Sequence, residues 1–219
     1  MKKMGRNHKI EETMAYFPMF VNIENQNCLV VGGGMVAFRK VQVLLDFGAC
    51  VTVIARKVHE RLKEKFGNCA VIYEREFVPD DLQGMMLVVA ATDDKEENHV
   101  IAELAGKARI PVNAVDQKED CSFIFPSYIR KQNVVGAFSS GGNSPVLTQY
   151  LKDRMTDILD ENLGEINEYM GSVRDVVKAR VQREAERREV YREVLATLLS
   201  DGKTSLSEDE LQQIIKKRG

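Results

Sequence analysis

The stretch Cys28-Leu29-Val30-Val31-Gly32-Gly33-Gly34-Met35-Val36-Ala37 restricts the folds open to this chain more than any other. It reads as a short buried strand, a glycine turn and the start of a helix. Gly32, Gly34 and Ala37 stand in the spacing G-x-G-x-x-A, and each position has a steric reason in a dinucleotide-binding turn. The first glycine allows the tight turn, the second lets a pyrophosphate approach the backbone, and the small third residue lets the helix pack on the strand. The helix that follows, to about Phe47, directs its N-terminal N–H groups and its dipole at the phosphates. Glycine turns also serve purely structural ends, so the context decides. A second apolar strand over 50–55 completes the unit that the motif requires. A dinucleotide is therefore expected across Gly32, Gly34, Met35 and Val36.

The alternation continues. Strands are expected over 70–73, 86–91 and 111–115, helices over 58–66 and 94–108, and a turn or short helix at 79–82. This is the pattern of an open parallel sheet, with its ligand beyond the carboxyl ends of the strands. After Asp116 the rhythm changes. Residues 121–125 and 133–138 read as two strands around a polar turn at 129–132, too short for a crossover helix, so an antiparallel hairpin is expected. A second small-residue loop, 139–145, opens a helix with Pro145 in its first turn. Beyond it the pattern is helical. Leu147, Leu151, Met155, Ile158 and Leu159 form one stripe, Gly164 and Gly171 interrupt it, and Ser207 with Glu210 forms a capping box. Ahead of the first strand, residues up to about Tyr16 look like a tail. Pro18 marks an edge or the beginning of a strand in the apolar run 17–21. The expected class is α/β: a Rossmann-type parallel sheet over 1–115, a small antiparallel segment over 116–145 and a helical domain over 146–219.

A net charge of −2 on 219 residues gives no reason to expect nucleic acid or an acidic membrane as partner. Cys28, Cys50, Cys69 and Cys121 are scattered, with no C-x-x-C. They read as buried small hydrophobes in a reducing cytoplasm, not as a disulfide framework or a zinc site. The first residues lack the apolar core of a signal peptide, and the longest strongly apolar run, 85–91, is too short to span a bilayer. A cytoplasmic protein is expected.

Several polar residues fall at strand ends, where chemistry belongs. The second strand ends in Ala55-Arg56-Lys57 and not in the carboxylate that commonly holds the ribose 2′-hydroxyl of NAD. Arg56 and Lys57 are therefore open to two readings, as ligands of an NADP 2′-phosphate or as solvated loop residues. The fourth strand delivers Thr92 and Asp93 to the cofactor edge, with Asp94 as N-cap of the next helix. The fifth delivers Asp116 to the ligand crevice, as a proton acceptor or as a turn residue. His8, His59 and His99 have no nucleophile or metal spacing and read as surface residues. The basic run from Arg174 through Lys178, Arg180, Arg183, Arg187 and Arg188 to Arg192 is interleaved with acids. It reads as a solvated, ion-paired face, with recognition of a polycarboxylate as the alternative.

Taken together, Phe17-Pro18-Met19-Phe20, the run from Val31 to Lys40, Ala90-Ala91-Thr92-Asp93-Asp94, Asn113-Ala114-Val115-Asp116, the run from Ser122 to Ser127 and the loop Ser139-Ser140-Gly141-Gly142-Asn143-Ser144-Pro145 resemble one family. Their order and spacing are similar to the precorrin-2 dehydrogenase module of siroheme synthases, most clearly over 17–151. The resemblance implies a homodimer, with 116–145 as its dimerisation segment and the C-terminal helices sharing in the interface. It implies NAD, despite Arg56, and oxidation of the carboxylate-rich tetrapyrrole precorrin-2 to sirohydrochlorin. In parts of the family the same site also inserts ferrous iron. Asp116 matches the aspartate on which both activities are thought to depend, and Ser140 a serine phosphorylated in some relatives. With the chain ending at Gly219, the methyltransferase domain of the longest siroheme synthases is not expected here. Two rivals remain: a dehydrogenase without chelatase activity, and a non-enzymatic nucleotide sensor, against which Asp116 and the second glycine loop argue.

Overall fold

The computed structural model of the protein describes residues 16–218, so His8 and most of the expected tail lie outside it. The chain forms two compact units, one running to Phe125 and the other beginning at Pro126.

The first unit is a five-stranded sheet of β1 (Asn27–Val31), β2 (Cys50–Ala55), β3 (Ala70–Glu74), β4 (Leu87–Ala90) and β5 (Val112–Ala114), in the order β3-β2-β1-β4-β5. Every pairing is parallel. The order reverses between β1 and β4, so a crevice opens at the carboxyl end of β1, where the glycines stand. The apolar runs form these strands because both faces are covered. Cys28, Val30, Val53 and Val89 pack with α1 (Met35–Asp46) and α2 (Glu60–Phe66), while Leu29, Val31, Val88 and Ala90 pack with α3 (Lys95–Lys107). Helix α1 buries Ala37, Val41 and Leu44, the single face that its spacing dictates. Asp94 caps α3, accepting from the Glu96 and Glu97 N–H groups, as expected. Residues 16–23 form no strand, and Phe17, Met19 and Phe20 are exposed.

The expected hairpin exists but is shifted in sequence. Its strands are β6 (Ser127–Lys131) and β7 (Val134–Phe138), antiparallel, so most of the residues read as a turn are strand and the turn itself is Gln132-Asn133. Gln132 takes the left-handed conformation that a tight hairpin needs. Residues 121–125 stay with the first unit, because the Ser122 and Phe123 N–H groups donate to the Val112 carbonyl and Phe125 packs into the core beneath α1.

The second unit adds α4 (Pro145–Thr156), α5 (Glu161–Ser172), α6 (Arg174–Arg180), α7 (Glu184–Asp201) and α8 (Glu208–Arg218). Its core gathers Ile166, Val177, Val190, Val194, Leu198 and Ile214. Gly164 and Gly171 do not interrupt the helices; both lie inside α5. A Cβ at Gly164 would come within 2.6 Å of the end of the flexible Gln132 side chain. Ser207 and Glu210 form the expected capping box. The basic run is ion-paired in part, through Arg183–Glu186, Arg188–Glu184 and Arg192–Glu189.

Candidate active site

The glycines do different work. Gly32 continues the β1 ladder, its N–H donating to the Ile54 carbonyl at 2.8 Å, and has φ +128°. A Cβ there would lie 2.2 Å from the Ala91 carbonyl oxygen. At Gly33, the unassigned middle position of the motif, a Cβ would lie 2.2 Å from the Lys57 carbonyl oxygen. That close approach lets the Gly33 carbonyl accept from the His59 N–H at 2.9 Å. Gly34 is the opposite case: a Cβ would meet nothing within 4 Å. Gly34 is the N-cap of α1, with no side-chain cap and no acidic residue in the first turn. The N–H groups and positive dipole end of α1 are thus presented without a local anion, and the space beside them suits a pyrophosphate.

This loop opens on a cavity of about 610 Å³. Gly32, Gly34, Met35, Val36, Arg56, Lys57, Thr92 and Asp93 all line it. The structure thus brings every expected cofactor residue to one place. It adds His59, Arg75, Glu76 and Glu97, which sequence reasoning did not place there. His59, expected on the surface, is the N-cap of α2, and its Nδ1 accepts from the Arg61 N–H at 3.2 Å. Thr92 is held by Asn98, a buried side chain that sequence reasoning missed. The Asn98 Oδ1 accepts from the Thr92 N–H and lies 2.8 Å from the Thr92 hydroxyl, while its Nδ2 donates to the Thr92 carbonyl. Thr92 thereby shapes the β4–α3 loop that walls the cavity.

Arg56 does not point freely into solvent. Its Nε donates to Glu76 at 3.1 Å, and a second guanidinium nitrogen lies 3.6 Å from Glu97. Arg75, on the same wall, is held in a fork by Asp81 at 2.6 and 2.8 Å.

Asp116 stands just past β5 with φ +58°, exposed, in a left-handed turn. It does not line the cavity around the glycines. The turn behind it is fixed: Gln117, buried, donates to the Lys95 carbonyl and to Asp120, and Asp120 pairs with His99 at 2.8 Å. That contact holds the His99 imidazole above its ordinary range. Lys40, another residue that pattern reading passed over, is half-buried with its ammonium 3.8 Å from the centre of the Phe125 ring. Burial pulls it down to about 8. In the second unit, the Ser140 hydroxyl bridges its own loop, accepting from the Ser144 N–H at 2.9 Å and donating to the Ser144 carbonyl at 3.1 Å. Among the described residues no group of three or more His, Cys, Asp or Glu side chains could hold a metal ion, and no helix is long and apolar enough to cross a membrane.

The sheet order, the glycine cradle and the uncapped helix define a nucleotide-binding protein of the Rossmann class. A family described as putative NAD(P)-binding matches residues 19–127, nearly the whole of the first unit. Along most of its length the chain is, further, similar to siroheme synthases. It is 41% identical over 183 residues to siroheme synthase 3 of Aeromonas hydrophila, covering 83% of this chain and 39% of that one. It is 43% identical over 187 residues to the siroheme synthase of Nitrosospira multiformis, covering 83% and 40%. The chain thus spans about two fifths of the length of these curated relatives. Among solved structures, SirC, a precorrin-2 dehydrogenase, shares the fold with TM-score 0.69 at 23% identity, over 92% of this chain and 100% of that one.

Proposed function

We propose that this chain oxidises precorrin-2 to sirohydrochlorin with NAD. The observation that carries the reading is the nucleotide cradle at the end of β1, in a chain related over most of its length to siroheme synthases. Asp116, at the end of a strand in the same sheet, supplies the second half of the chemistry. Precorrin-2 must lose a hydride and a proton. NAD, when bound, supplies the hydride acceptor. The glycine loop and α1 hold its pyrophosphate, and the β4–α3 loop braced by Asn98 shapes the opposite wall. Asp116 accepts the proton at a carboxylate oxygen. That carboxylate stands on an exposed left-handed turn, which the Gln117–Asp120–His99 contacts keep in place. Ferrous iron is proposed as a further substrate. There too a carboxylate suits the task, accepting pyrrole protons or ligating the metal transiently through oxygen.

The proposal extends to assembly and place. Helix α4 has no buried residue, and Val146, Leu147 and Tyr150 are 80%, 50% and 55% exposed. A second copy of the chain is the proposed cover for that apolar face. A dimer by light scattering is expected, and a monomer after Leu147→Glu. A monomeric wild type at micromolar concentration would remove this part. Four unpaired cysteines support a reducing, cytoplasmic setting, although only Cys28 is buried as expected: Cys50 and Cys69, at or just before the starts of their strands, are exposed and Cys121 is half-buried. The activity is tested by incubating purified protein with NAD and precorrin-2 and following absorbance, first alone and then with ferrous or cobaltous ion. No NAD-dependent change would leave the sensor reading in its place. Oxidation without metal insertion would leave a dehydrogenase alone.

A further inference from the structure

The end of β2 lacks the carboxylate by which such folds usually take the ribose of NAD, yet the wall beside it is not electropositive. Arg56 and Lys57 supply two positive charges. Glu76, beyond the end of β3, and Glu97, in the first turn of α3, supply two negative ones, both directed at Arg56. Arg75 is occupied by Asp81. Lys57 makes no ion pair with any described residue. By the rule of the fold, the adenosine ribose lies beside the end of β2.

We propose that Glu76 and Glu97 set a preference for NAD over NADP by engaging Arg56 beside the adenosine ribose; the inference rests on the nucleotide site described above. The 2′-phosphate of NADP brings roughly −1.5 to −2 charge at neutral pH. It needs a net positive wall and guanidinium donors with open hydrogen-bonding edges. Here the guanidinium is turned to two carboxylates, and each carboxylate adds repulsion of its own. NAD, with an uncharged 2′-hydroxyl, meets no such penalty, and a glutamate oxygen accepts a hydrogen bond from it. The effect does not depend on strong ion pairs. Arg56 and Glu76 are largely exposed, so their bridge contributes little to stability. It is the charges, fixed at the wall, that discriminate between the two nucleotides.

The test is calorimetric titration of NAD and of NADP into wild type, Glu76→Gln/Glu97→Gln, and that double variant with Arg56→Ala added. Glutamine keeps the shape of glutamate, and both positions are at the surface of the cavity, so the fold should persist. Wild type should bind NAD at least about tenfold tighter than NADP, and the double variant should shift the ratio toward NADP by about tenfold or more. Adding Arg56→Ala should reverse that gain. Equal wild-type affinities, or an unchanged ratio in the double variant, would overturn the inference while leaving the nucleotide site intact. Failure of wild type to bind either nucleotide would overturn the site and the inference together.

Discussion

The carboxyl ends of β1 and β5 lie in one parallel sheet but are built in opposite ways. At β1 the chemistry is written in the backbone. Gly32 and Gly33 are required because neighbouring carbonyls stand where a Cβ would go, whereas a Cβ at Gly34 would meet only open space, the place proposed for the pyrophosphate. At β5 the proposed chemistry rests on one side chain, that of Asp116, on a turn held by the residues behind it. The first kind of site is specified by steric exclusion and is complete in the chain alone. The second, as proposed, is a reactive carboxylate on an exposed turn. Substitutions at β1 should therefore act on stability or binding, and substitutions at β5 on rate.

The largest effect is expected at Asp116. Asn is nearly isosteric and is among the residues that tolerate a left-handed turn best, so Asp116→Asn should preserve the fold and NAD affinity. It cannot accept the proton, and the rate of precorrin-2 oxidation should fall roughly a hundred- to ten-thousand-fold. Near-wild-type turnover would reduce Asp116 to a turn residue and erase the contrast between the two strand ends. Cobalt insertion into sirohydrochlorin, assayed in parallel, shows whether one carboxylate runs both reactions.

Adjacent glycines sharpen the comparison from the other side. Gly34→Asp projects a carboxylate into open space where the pyrophosphate is expected, so stability should hardly change while NAD affinity falls by about a hundredfold or more. Gly33→Ala, a smaller change, meets the Lys57 carbonyl and the Val58 Cα, backbone atoms that cannot swing aside. It should cost about 1–3 kcal/mol in denaturant unfolding. If Gly34→Asp unfolded the protein and Gly33→Ala did not, the assignment of cradle and spacer would be reversed.

This contrast also explains what could be read in the sequence. The glycine turn, the order of helices and strands, the Asp94 cap and the Ser207–Glu210 box are local patterns, and local steric rules specify them. The hairpin was misplaced because Cys121-Ser122-Phe123-Ile124-Phe125 and Ser127-Tyr128-Ile129-Arg130-Lys131 are both strand-like. What separates them is tertiary: Ser122 and Phe123 bond back to Val112, which no local rule encodes. Likewise Arg56 was ambiguous by itself. Its partners Glu76 and Glu97 are distant in sequence and meet it only because β3 lies beside β2 and α3 begins at the same sheet edge. Asn98 gave no signal, being one more polar residue on an acidic helix start.

The smallest effect tests whether the support behind Asp116 is as described. His99 and Asp120 join α3 to the turn after β5, and the hydrogen bond to Asp120 is the main cause of the raised His99 value, helped by the nearby Glu103 and Glu96. A raised folded-state value means that protonated His99 favours the folded protein. The contribution is complete below the unfolded imidazole value, about 6.5, and is lost as the pH climbs through the higher folded-state value. His99→Gln should therefore lower the melting temperature slightly, on the order of 1 °C, at about pH 5.5, with the difference from wild type shrinking by about pH 8.5. Taking the difference between the two proteins cancels the other groups that titrate in that range. A difference independent of pH would mean that protonation of His99 plays no part in the support. A difference that grew with pH would mean that the neutral imidazole, and not the ion pair, ties α3 to the loop carrying Asp116.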